Sequence, residues 1–134
     1  MIKKNRTIEW EHSIIMIVIG IVILLPFHQA LSTPAAAGMV AVMSENAWGM
    51  TFLSVGIIRV IALIINGKLP LGSPLARVIG ASFNSILLSV IVVSFYDAYP
   101  SGLWAGSIYL IFVFFEMRII YLATKDLLEN VNNS

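Results

Sequence analysis

The sequence predicts an all-α, polytopic integral membrane protein with four transmembrane helices and a short interfacial helix. Three observations carry that prediction. Hydrophobic residues fill 59% of the 134 positions and charged residues only 11%, against roughly 25% charged in a soluble domain. The mean hydropathy is +0.94. Four apolar stretches each approach the about 20 residues that cross a bilayer as a helix.

The chain reads as one transmembrane domain over residues 1–134, with no repeat, low-complexity tract or linker. A net charge of +1 argues against a nucleic-acid surface, which needs a clustered basic face. The absence of cysteine removes disulfides, thiolate metal sites and cysteine nucleophiles.

Span one is expected over residues 12–29, centred on "SIIMIVIGIVILLPF". A basic start followed by an apolar run, with "AAA" at 35–37, also resembles a signal peptide. Glu9 and Glu11 just before the run fit that poorly, so the segment is expected to stay as a span. "STPAAAGMVAVMS" at 32–44 is too short to cross. Ser32 or Thr33 can cap a helix with Pro34 in its first turn, which predicts an interfacial helix near 34–44 lying on the outer face.

Span two is expected over 45–66, where Ser44 caps and Glu45 suits the positive end of the helix dipole. Span three, "PLARVIGASFNSILLSVIVVSFY", covers 74–96, and span four, "GLWAGSIYLIFVFFEMRIIYLA", covers 102–123. Breaker-rich segments, "NGKLPLGSP" and "YDAYPSG", separate them.

Cations set the expected direction. Lys3, Lys4 and Arg6 precede span one, Lys68 and Arg77 flank the 66–74 loop, and Lys125 follows span four. Residues 28–44 and 97–101 hold no lysine or arginine. Both termini and the 66–74 loop are therefore expected in the cytoplasm, with the chain in a bacterial inner membrane.

Arg59 interrupts the apolar run "SVGIIRVIALIING". Spans two and four run the same way, with Arg59 seven residues before Asn66 and Glu116 seven before Ala123. Both charges then lie about 10 Å from the inner ends at 1.5 Å per residue. Burying one alone costs a few kcal/mol, so an Arg59–Glu116 pair is predicted, with Asn84 of span three able to join it. This cluster reads as a structural tie, or as a polar element of a permeation path. Arg118 is expected to snorkel to the inner headgroups.

Helices associate in lipid through small residues. Ala81, Ser85 and Ser89 recur every four residues in span three, and Gly102 and Gly106 form a GxxxG in span four. These faces either pack the subunit's core or drive homo-oligomers or contact with a partner membrane protein. Trp10, Trp48 and Trp104, with Tyr96, Tyr99 and Tyr121, read as interfacial anchors.

Catalytic signals are nearly absent. His12 and His28 fall at opposite ends of span one, too far apart to share a metal. Glu9 and Glu11 read as solvated, and "NGKLPLGS" lacks the spacing of a phosphate loop. No catalytic residue, metal site, cofactor or enzymatic activity is expected. The bilayer is the expected partner.

The series Glu45-Asn-Ala-Trp48-Gly49, Arg59, Asn66-Gly67 and Pro74-x-x-Arg77-x-x-Gly80-Ala81 resembles small four-span membrane proteins of bacteriophages and prophages, often labelled holins. The resemblance covers residues 12–123 and implies a membrane-permeabilising oligomer. The tail "KDLLENVNNS", with one lysine and two acids, departs from the strongly basic tails common among holins. The sequence leaves three classes open: a holin-like oligomer, a non-catalytic scaffold or accessory subunit docking a partner, and a small channel or transporter. Span one carries no acid after Glu11, unlike small multidrug transporters.

Overall fold

The computed structural model describes residues 6–26, 31–65 and 72–132. His28, Lys68, the end of span one and most of the "NGKLPLGSP" loop lie outside them. The described chain is helical, with no strands. Helix α1 is Thr7–Leu24, α2 Ala37–Val42, α3 Glu45–Ile64, α4 Gly72–Asp97 and α5 Leu103–Asn132. All but α2 are long and apolar enough to cross a membrane.

Local chemistry explains the boundaries. Pro26 forces the preceding residue out of the helical region, and Leu25 is extended at φ −65° and ψ 126°, so α1 stops at Leu24. Ser44 caps α3 by accepting a hydrogen bond from the Ala47 amide at 3.3 Å. Pro74 is tolerated in α4 because first-turn amides need no helical acceptor.

The long helices form two antiparallel hairpins, α1 with α3 and α4 with α5. Glycine permits the first. A Cβ on Gly20 would lie 2.5 Å from the Leu53 backbone nitrogen, and one on Gly56 would lie 2.9 Å from the Ser13 carbonyl. Within this hairpin the backbones therefore nearly touch. Between hairpins they stand further apart and side chains fill the gap. One end of the bundle gathers the start of α1, the end of α3, the start of α4 and the end of α5; we call it the charged end. The core of the opposite, far half is apolar, built from Met16, Met39, Trp48, Phe52, Leu88 and Ile91.

The short helix expected near 34–44 is present, and three details refine the reading of the elements. The segment after residue 33 is a 3-10 turn, Pro34–Ala36, leading into α2, and Thr33 makes no side-chain cap bond. It does not lie free on the outer face. Gly38 packs on Ser94 of α4, Met39 is buried, and the Trp48 indole donates to the Met39 carbonyl at 2.7 Å. A segment with an apolar face gains more by covering the bundle's open end than by lying in headgroups. Helix α1 starts at Thr7, five residues before the expected span. Helix α5 runs nine residues past Ala123, because the edge of the hydrocarbon ends a span but not a helix.

Candidate functional site

Each long helix sends one polar side chain to a single point in the charged half. Glu116 of α5 is fully buried, and its Oε1 accepts from Arg59 Nη1 of α3 at 2.6 Å and from Asn84 Nδ2 of α4 at 2.6 Å. His12 Nδ1 of α1 lies 2.9 Å from the same oxygen. The His12 ring sits edge-on to Phe112 and Phe115, which shields it on the α5 side. Glu116 Oε2 and Asn84 Oδ1 are buried without a hydrogen-bond partner among the described residues. The carboxylate is saturated on one oxygen and spare on the other.

A second cluster lies nearer the charged end. Arg77 of α4 forks onto Glu9 of α1, with Nε 2.6 Å from Oε2 and Nη2 on Oε1. Its Nη1 donates to Asp126 of α5 at 2.9 Å, and Arg6 lies 3.8 Å from Asp126. Burial, and then the neighbouring Arg77, lower the Arg6 pKa from its ordinary value. Seven residues separate Arg77 from Asn84 on α4, so the clusters are about 10 Å apart along the axis. A cavity of about 30 Å³ between them is lined by Glu9, Arg59, Arg77 and Gly80 among others. Cations and carboxylates are matched in each cluster: Arg59 with Glu116, and Arg6 plus Arg77 with Glu9 plus Asp126.

The structure thus brings Arg59, Glu116 and Asn84 together and adds His12. Sequence reasoning missed the second cluster. Glu9 reads as solvated before span one, yet it is buried because Arg77 and the ends of the neighbouring helices close over it. Asp126 falls in a tail that reads as polar. One signal marks both: Glu116, Ile119, Ala123 and Asp126 step by three and four residues and are all buried, so the buried stripe of α5 continues into the tail. Glu9, His12, Met16, Gly20 and Ile23 do the same on α1.

Other expected sites are reassigned. Trp48 is not an interfacial anchor. It is completely buried and stacks on Phe52, and it holds α2 through its indole. Trp10 and Trp104 are exposed. Ala81, Ser85 and Ser89 run from the core to the surface of the bundle: Ala81 is buried, Ser85 half-buried and Ser89 exposed. Steps of four precess by about 40° at 3.6 residues per turn, which carries the stripe out of the core. The Ser89 hydroxyl donates to the Ser85 carbonyl of its own helix at 2.8 Å. Gly102 and Gly106 face α4 of their own hairpin: a Cβ on Gly102 would lie 1.9 Å from the Phe95 carbonyl oxygen, and one on Gly106 would lie 3.2 Å from the Tyr96 ring. Arg118 is exposed.

Among the described residues no group of three or more His, Asp or Glu side chains is placed to hold a metal ion. Fold and site together define a class, a four-span membrane protein with an ion-paired polar core in one half. Comparison with protein-family models, curated proteins and solved structures finds no match to this chain.

Proposed function

We propose that this chain is a small phage-type protein of the bacterial inner membrane, with both termini cytoplasmic, that permeabilises the membrane as a holin-like oligomer. One observation carries the reading: most of the ion ties cross from one hairpin to the other. His12 and Arg59 of the first hairpin hold Glu116 of the second, and Glu9 of the first holds Arg77 of the second. Closed, the bundle hides these groups from lipid. If the hairpins part, each exposes a face of charged and polar side chains, and several such faces around water form a lesion lined by groups that water solvates.

The far half argues against a path through one closed subunit. Met16, Trp48, Phe52, Leu88 and Ile91 block the axis beyond Asn84, so a continuous polar route requires rearrangement. The spent glycines support the same view, since they are used inside each hairpin and leave the hairpins free to move as units.

The test is to induce the chain in a bacterial host while following membrane potential. Collapse of the potential with leakage of small solutes is expected, and an intact potential at full membrane expression would remove the permeabilising role. Reporter fusions at Ser134 and Tyr99 check the direction. They should report opposite sides, and matching signals would overturn the topology.

A further inference from the structure

In the far half the hairpins part around an apolar cavity of about 210 Å³. Ile19 and Ile23 of α1, Met39 of α2, Phe52 of α3, Ile91 of α4 and Tyr109 of α5 are among its walls. The cavity is open on one side, and an apolar cavity of about 150 Å³ already accepts a benzene-sized guest. Water is a poor occupant, because it needs two to four polar partners and the side chains of the described lining residues offer one hydroxyl, on Tyr109. A helix of another subunit, about 10 Å across, is too wide.

The rim points to what enters. Val18 and Val22 line the cavity and are 52% and 43% exposed. They continue into an exposed belt with Ile14, Ile21 and Leu25 on a helix apolar enough to span. Hydrocarbon covers that belt, so the cavity opens onto acyl chains. Toward the charged end, the contacts of His12 and Arg59 with Glu116 draw the hairpins together and close the floor. We propose that the cavity is a binding site for one acyl chain of a bilayer phospholipid, admitted past Val18 and Val22. The guest wedges the hairpins apart in the far half while the ion ties hold them in the other. This assignment stands on the membrane-spanning fold and is independent of permeabilisation.

The test uses Trp48, which stacks on the cavity wall residue Phe52 with ring centroids 5.7 Å apart. The full chain carrying Trp10→Phe and Trp104→Phe is reconstituted in phosphatidylcholine vesicles brominated at mid-chain, so that Trp48 is the sole indole. Its fluorescence should fall by half or more although the ring is buried. Ile91→Phe, which fills the cavity, should restore most of the signal, as should Val22→Phe at the rim if the first variant does not fold. No quenching, or equal quenching in the filled, plugged and parent chains, would overturn the proposal. Quenching that declines as protein is raised against lipid would give the cavity to a second copy and overturn it too.

Discussion

The charged half and the far half of the bundle contain the same four helices, yet they hold their hairpins together by different means. In the charged half, Glu116 binds side chains from three other helices and Arg77 from two, and the hairpins meet through ions. In the far half the contact between hairpins is apolar, from Met16, Phe52 and Ile91, and it leaves a cavity. Hydrocarbon is as apolar as these side chains, so burial there adds little driving force. An ion pair in lipid behaves differently, since separating it leaves two charges with no solvent. Polar ties therefore decide whether the hairpins stay together, and apolar packing decides how closely they fit.

The strongest way to break this contrast is Glu116→Gln. It strands Arg59 in the core, and removing one member of a buried pair costs about 3 to 5 kcal/mol. Unfolding in mixed micelles should show that loss. Arg59→Gln combined with Glu116→Gln should cost less than the two singles summed, because no lone charge remains. Full additivity would refute the coupling. Exchanging the charges, Arg59→Glu with Glu116→Arg, should recover part of the stability if the tie is structural, and recovered folding without permeabilisation would give the cluster a functional part.

Arg77→Gln should come next, at about 1.5 to 3 kcal/mol, the usual worth of hydrogen bonds to charged groups. Glu9 and Asp126 lie close enough to the helix ends to recruit water. A penalty matching that of Glu116→Gln would show that the second cluster is as dry as the first. Within a hairpin, Gly20→Ala should cost about 1 to 3 kcal/mol by overpacking, and cross-linking between α1 and α3 should report their separation while the ion ties persist. The smallest effect is expected from Ser89→Leu, within about 0.5 kcal/mol for an exposed site. A marked fall in oligomer size with that variant would mean that Ser89 contacts another subunit.

The division between halves also explains what the sequence made legible. Arg59 and Glu116 stand alone in long apolar runs, so their matched depth pairs them without any coordinates. Glu9, Arg77 and Asp126 lie within two turns of a helix end or beyond the apolar run, where charges are ordinarily solvated, and composition says nothing against that reading. Only their phase with the buried stripes of α1, α4 and α5 separates them from their exposed neighbours Glu11 and Lys125. Trp48 departs from its expected place for the converse reason. An indole one turn into a span is usually an anchor, and only the fold of α2 over the bundle end turns it inward. His12 was legible as a residue but not as a member of the cluster, because its depth follows from α1 starting at Thr7.

The 57 residues that separate Arg59 from Glu116 in sequence have a consequence for synthesis. Chains lengthen at about 5 to 20 residues per second, so Arg59 leaves the ribosome roughly 3 to 11 seconds before its counter-charge exists. The first hairpin therefore carries an unpaired charge at a cost of a few kcal/mol until the second is made. Until α5 arrives, that cost is met by lipid and water around a guanidinium drawn toward the nearer membrane surface.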